Sequence, residues 1–211
     1  MKTKLRADSR RRRRRLAEFG EIRFEVATDK ETKKIIIDKM IGQKSRRYRD
    51  TGVWDMLSVQ EHKEFYIKLA DITVNYLKIH CAALYVGETI VATHVGLVDQ
   101  SIFYYLMPAH EGGKWERYSP GRLLLEHLLE WSIQNKLKVF DFTVGGEQYK
   151  KDWCDTETSL YETLEPVTLK GKMYVMSQRT KQRVKEMPWL GKQARQFNVW
   201  LRNKDVLPNN P

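Results

Sequence analysis

The chain has 211 residues, 41% of them hydrophobic and 11% aromatic, enough to bury one core and at most a second small lobe. No apolar run nears the roughly 18 to 20 residues of a bilayer-spanning helix, and no basic stretch followed by an apolar segment and cleavage site opens the chain. A soluble, cytoplasmic protein is expected, and its 38 Lys and Arg against 27 Asp and Glu, a net +11, favour polyanionic partners such as CoA, RNA or an anionic membrane.

The first twenty residues set the unbroken run Arg10 to Arg15 among Leu5, Leu16, Ala17 and Phe19, which predicts a cationic helix ended by Gly20. Glu21 to Ala27 alternates Ile22, Phe24 and Val26 with polar residues, a half-buried strand. A helix follows Asp29, with Ile35, Ile36 and Met40 on its buried side and Lys33 and Lys34 facing water. Ser58-Val59-Gln60-Glu61 has the form of a capping box opening a second helix, with Phe65, Leu69 and Ile72 as its apolar face.

Leu77 to Val86 and Thr89 to Val98 read as a hairpin about Gly87-Glu88, and Asp99-Gln100 turns the chain into a third strand, Ser101 to Leu106. A polar loop, Pro108 to Tyr118, leads to Ser119, a good N-cap with Pro120 at the first helical position and Leu124, Leu125, Leu128 and Leu129 lining one side. Lys138 to Thr143 is a short strand, Glu147 to Trp153 a helical turn, Leu160 to Leu164 a further strand, and Val167 to Arg202 one long basic helix or two. The order is an α+β pattern. It divides into a basic arm (1–20), a central domain (21–166) and a basic helical extension (167–211).

Three stretches in this frame, Tyr118-Ser119-Pro120-Gly121-Arg122-Leu123-Leu124, Phe140-Asp141-Phe142 and Gly145-Gly146-Glu147-Gln148-Tyr149-Lys150, are followed by Trp153. Together they resemble the GNAT-like acetyltransferases of bacterial exopolysaccharide and cellulose-biosynthesis clusters, relatives of the aminoacyltransferases that build peptidoglycan bridges. The resemblance covers roughly residues 10 to 165. It implies a GNAT fold, a mixed and mainly antiparallel sheet flanked by helices. It also implies transfer of an acyl group, acetyl foremost, from an acyl-CoA thioester to an amine or hydroxyl of a polar acceptor. Relatives of this type commonly carry two GNAT-like halves, and this chain corresponds to the second, so a homodimer or a partner chain supplying the first half is implied. The family's pyrophosphate loop, Gln/Arg-x-x-Gly-x-Gly/Ala, is not spelled out here; Gly121 and Arg117 stand in its place. The competing reading is a catalytically silent half that binds tRNA, an anionic membrane or a partner chain through its basic surfaces.

Tyr118, Ser119, Gly121 and Arg122 are the candidate donor-binding residues, because the start of a helix presents free N–H groups and a positive dipole end to phosphate and glycine permits close approach. The plain alternative is an ordinary capped helix. Asp141 lies between two phenylalanines that face the core, so alternation sends its carboxylate to the other face. With Glu147 and Lys150 it forms a charged cluster that positions an acceptor or takes its proton, or else a structural salt bridge. His94 shares a strand face with Ile90, Ala92 and Val98 and is either a buried histidine or a general base. Tyr104, Tyr105, Tyr118 and Tyr149 are packing residues or a source of a general acid. Cys81 and Cys154 have no spaced Cys/His companions, so neither a disulfide framework nor a metal site is expected. The arginine run, and the C-terminal basic residues around Trp189, Phe197 and Trp200, are solvated cationic faces, contacts to RNA or anionic lipid, or docking surfaces.

Overall fold

The computed structural model describes the backbone of residues 3–72, 76–161 and 163–186, with side chains for those between 7 and 180. The chain forms two units, Met1–Asp155 and Thr156–Pro211. The first holds a five-stranded sheet in the order β1 (Ile22–Val26), β2 (Lys78–Val86), β3 (Thr89–Val98), β4 (Ile102–His110), β5 (Val139–Asp141). Neighbours are antiparallel except β4 and β5, which are parallel because a helix joins them.

Helices cover both faces. On one side α1 (Thr3–Leu16) and α4 (Pro120–Gln134) bury Leu16, Leu123, Leu124, Leu125 and Leu128 against Leu84, Phe103 and Tyr105. On the other, α2 (Lys30–Thr51) and α3 (Gln60–Leu69) close over Cys81, Ala83 and Val95 with Ile36, Ile37, Met40 and Ile41. The cationic N-terminal helix is thus stitched into the domain: Leu16 is fully buried, and Ser9 donates a hydrogen bond to Glu126 of α4.

Asp29 caps α2, accepting from the Thr32 N–H at 2.8 Å, but the buried stripe runs through Ile36, Ile37, Met40 and Ile41, which turns Ile35 outward. The capping box at Ser58 does not form. Its hydroxyl donates to the Asp55 carbonyl, a short 3-10 turn occupies Met56–Ser58, and α3 starts after Val59 without a side-chain cap. This short helix docks through Tyr66, Leu69 and Ala70, leaving Phe65 and Ile72 exposed. The described residues of 160–164 carry no strand; they have no sheet neighbour within their unit. In the second unit α5 spans Leu169–Glu186, and the remainder of the predicted basic helix lies outside the described residues.

Two bulges decide which side chains face which layer. Leu84 pairs with Ala92 and Tyr85 with Ile90, so Val91 is the extra residue; Ile90 moves to the α2 side, away from the face of Ala92 and His94 that alternation assigns it. Val95 pairs with Met107 but Leu97 with Tyr104, which places the second irregularity in the middle of β4. Phe103 and Tyr105 face the α4 side, whereas Met107 and Ala109, of the same parity, face the α2 side. Gly96 sits opposite this bulge, where a Cβ would collide with the Tyr104 carbonyl and the His94 ring.

Candidate active site

β4 and β5 pair only from Ile102–Val139 to Tyr104–Asp141, after which they part. The Thr143 hydroxyl reaches the Tyr105 carbonyl at 3.2 Å, and beyond it the β5-side edge of β4 is open. Pro108 lies on this stretch opposite His94. Proline has no N–H to donate, and here it costs no ladder bond because its nitrogen faces the open edge. The strand therefore continues four residues past the predicted end at Leu106, to His110.

A cleft of about 490 Å³ opens along that edge. α2 contributes Gln43, Lys44, Arg47 and Tyr48; β4 contributes Tyr105, Pro108, Ala109 and His110; the start of α4 contributes Ser119, Gly121 and Arg122; and the turn after β5 contributes Tyr149, Asp152 and Trp153. Arg47 and Glu116, 3.6 Å apart, form an ion pair between α2 and the segment before α4.

Of the predicted donor-binding residues, Ser119, Gly121 and Arg122 line the cleft, while Tyr118 turns into the core against Phe19. Ser119 is the N-cap of α4, but in a left-handed conformation (φ 50°, ψ 56°) and without a side-chain cap. Its hydroxyl accepts instead from Arg12 at 2.6 Å, and Arg12 also donates to the Arg117 carbonyl at 2.9 Å. Asp8 holds Arg12 at 2.7 Å and lies 3.7 Å from Arg122, so one arginine of the N-terminal run stands at the start of α4. The Arg122 guanidinium lies 6.0 Å from the Trp153 ring. A Cβ on Gly121 would meet the His110 ring at 3.1 Å, so glycine lets that imidazole lie against the first turn of the helix.

His110 was not singled out from the sequence. Its Nδ1 is 2.9 Å from the Glu111 carbonyl, which can only accept, so Nδ1 carries the proton and Nε2 keeps a lone pair. Arg46 fixes this strand end by donating to the His110 carbonyl and the Glu111 carboxylate, and Lys39 adds an ion pair to Glu111 at 2.8 Å. Lys44, also unanticipated, is half-buried in the cleft wall, and burial lowers its pKa against the opposing pull of Glu147.

Tyr149 sits on the 3-10 turn Gln148–Asp152, and burial, with the nearby Glu147 charge, pushes its hydroxyl up to about 12. Burial also raises the Tyr105 hydroxyl well above its ordinary value, with the neighbouring Tyr149 adding to it.

The predicted catalytic residues lie around the cleft rather than on its lining. Asp141 is exposed and accepts from the Thr143 N–H at 2.6 Å, supporting the left-handed turn at Thr143 (φ 57°). Lys150 is buried and satisfied: Nζ donates to the Val144 and Gly145 carbonyls at 3.2 and 3.4 Å and pairs with Glu147 at 2.8 Å. This bond holds the Glu147 carboxyl below its usual range, and Gly145 (φ 132°) leaves room for it to fold back. His94 is fully buried, stacked on Tyr105 at 4.8 Å and 6° and on Phe103 at 5.3 Å.

Among the described residues no group of three His, Cys, Asp or Glu is arranged to hold a metal, and no helix is long and apolar enough to cross a membrane. No curated protein matches the sequence. Among solved structures the chain is similar to a possible acetyltransferase from Clostridium difficile 630, at 12% identity over 68% of this chain and 99% of that one, with a TM-score of 0.50, a likeness of fold. It is also similar to an aminoglycoside acetyltransferase from an uncultured soil metagenomic sample, at 12% identity over 70% and 99% of the two chains, with a TM-score of 0.49. Residues 3–151, which carry the whole sheet, helices α1 to α4 and the parted strands, match the acetyltransferase (GNAT) domain model, so the chain belongs to that family of acyl-CoA-dependent transferases.

Proposed function

We propose that the protein transfers an acetyl group from acetyl-CoA to an amine or hydroxyl of a polar acceptor, by direct attack within the cleft between α2, β4 and α4. The observation that carries this reading is the convergence on one cleft of a helix start, a protonated tyrosine and a histidine with a free ring nitrogen. At the first turn of α4, where Pro120 has no N–H and the Arg122 and Leu123 N–H groups donate to the Ser119 carbonyl, the Gly121 N–H is the one turned to the donor phosphates, and Arg122 and Arg12 supply charge. The open edge of β4 presents backbone groups suited to the amides of the pantetheine arm.

The acceptor enters past Gln43, Lys44, Arg47 and Tyr48, a polar wall that fits sugar-like precursors of exopolysaccharide type. His110 Nε2 takes the proton from the attacking amine or hydroxyl as the new bond to the thioester carbonyl carbon forms. The carbon–sulfur bond then breaks, and Tyr149 gives its proton to the departing thiolate. Asp141, Glu147 and Lys150 act on this chemistry through the 141–150 segment that carries Tyr149, and His94 through the Tyr105 ring on which it stacks.

Titration of acetyl-CoA in a thermal-shift assay tests the donor half of the reading: binding raises the melting temperature by mass action. Gly121→Trp, which fills the approach to α4, abolishes the shift. Release of free thiol across a panel of amino sugars and hydroxylated sugars then tests transfer. A melting temperature indifferent to acetyl-CoA would sink the proposal.

A further inference from the structure

Helix α5 carries a pattern that the acyl-transfer reading leaves unused. Leu169, Met173 and Met176 are 79%, 72% and 70% exposed and follow the i, i+4, i+7 spacing of one helical face, with exposed Thr180 continuing it. At about 100° per residue these four positions fall within roughly 60° of one another. On the opposite side of the helix Val175 is buried, and Gly171 and Gln178 are half-buried. The exposed face is thus an apolar stripe left in water.

Cations flank it on both sides. On the wheel Lys172 and Arg179 lie about 40° and 60° from Met176 on one side, and Lys170 about 60° from Met173 on the other. All three are exposed. Along the whole helix Lys170, Lys172, Arg179, Lys181, Arg183 and Lys185 stand against the single acid Glu186. A narrow apolar stripe between two rows of cations complements an anionic lipid surface, where phosphates meet the cations and the stripe enters the boundary between headgroups and acyl chains. A polyanion such as RNA satisfies the cations and gives Leu169, Met173 and Met176 nothing to bury against.

We propose that α5 is a membrane-surface helix that lies on anionic lipid by its Leu169–Met173–Met176 face. The helix holds an enzyme of polar acceptors at the bilayer surface, a function separate from acyl transfer and independent of whether the cleft binds acetyl-CoA.

The test is co-sedimentation of the full chain with vesicles of phosphatidylcholine alone and of phosphatidylcholine with one-third phosphatidylglycerol, across a salt series. The chain sediments with the anionic vesicles only, and less as salt rises. Leu169→Ser with Met173→Ser and Met176→Ser lowers the affinity at least tenfold. Lys172→Glu with Arg179→Glu lowers it by roughly thirtyfold or more, each lost cation being about fivefold. Met173→Trp, in an otherwise unchanged chain, is quenched by brominated lipid in anionic vesicles.

Three results overturn the proposal. The chain sediments with neither vesicle; the triple serine variant binds as well as wild type, which makes the contact purely electrostatic; or light scattering shows a dimer that the serine variant dissolves while lipid binding is absent, which makes the stripe a surface for a second copy. Binding of single-stranded RNA without vesicle binding counts as the first of these.

Discussion

Acidification should unfold this domain through two histidines buried in its core. His80 and His94 are 5% and 0% exposed, and among the described residues their four ring nitrogens have no hydrogen-bond partner. The rings are walled by aromatics: His80 lies 4.4 Å from Trp131, 4.9 Å from Phe103 and 5.9 Å from His94 between centroids. Burial lowers the His80 pKa to about 3, with Lys33 adding to it, and drives His94 well below its ordinary value, with His80 and Lys44 adding to that. Both folded-state pKa values lie below the unfolded value near 6.5, so the stability linked to them is fully present above that pH and is lost as pH falls below it. The loss is about 1.4 kcal/mol per pH unit for each histidine. Between pH 7 and pH 5 that is about 2 kcal/mol each and about 4 kcal/mol together, a large share of the roughly 5 to 15 kcal/mol a domain has. Burial also lowers His127, which adds in the same direction; it raises the Glu126 carboxyl, which opposes it. Urea unfolding followed by tryptophan fluorescence at pH 7 and pH 5 reads the difference, and His80→Phe, which keeps a ring in the aromatic pocket, should remove about half of it. An unchanged midpoint between the two pH values, or a His80→Phe variant that falls in parallel with wild type, would refute the reasoning.

Three further outcomes concern the cleft and the bulge beside it. Tyr149→Phe should lower kcat about a hundredfold or more while leaving the KM for acetyl-CoA unchanged, measured as thiol release. Because burial and Glu147 push that hydroxyl up to about 12, Tyr149 should put no alkaline limb on the wild-type pH profile below about pH 11. His110→Gln should cut kcat/KM about a hundredfold, because the amide offers no basic nitrogen at the position of Nε2. Gly96→Ala should destabilise the fold by about 1 to 3 kcal/mol, because its Cβ meets the Tyr104 backbone, which cannot swing aside. A calorimetric melting temperature lower by about 2 to 4 °C per kcal/mol checks it.

Local chemistry was legible in the sequence wherever neighbours along the chain decide the outcome. Asp29 before an apolar period of 3.6 gives the start of α2, Pro120 marks the first position of α4, and alternation about Asp141 puts Phe140 and Phe142 in the core. What was lost depends on distant residues. The Ser119 hydroxyl fails to cap its helix because an arginine 107 positions earlier binds it. Ile35 looks as apolar as Ile36, and only the seating of α2 on the sheet sends it into solvent. For Lys150 the sequence left an acceptor-positioning cluster and a structural salt bridge both open, and only the fold shows it surrounded by carbonyls and paired with Glu147. His110 was hidden by Pro108, which ends a strand in the interior of a sheet and is harmless on an open edge.

That open edge is produced by the irregularities around it. Without the bulge between Val95 and Leu97, β4 would keep one parity throughout, and Met107 and Ala109 would share the α4 side with Phe103 and Tyr105. The extra residue reverses them, so the far half of β4 packs on α2 and strand continuity with β5 ends at Asp141. Gly96 makes room for the bulge, and Pro108 on the exposed side leaves no ladder donor there for a returning strand to pair with. The same reversal carries His110 to the first turn of α4, where a glycine admits its ring. The glycines at positions 96 and 121 therefore serve one geometry: the first lets the sheet part, and the second lets the base reach the helix start where the donor would lie. Exchanging either for alanine should damage the site in distinguishable ways, Gly96 through stability and Gly121 through acetyl-CoA binding with the fold intact.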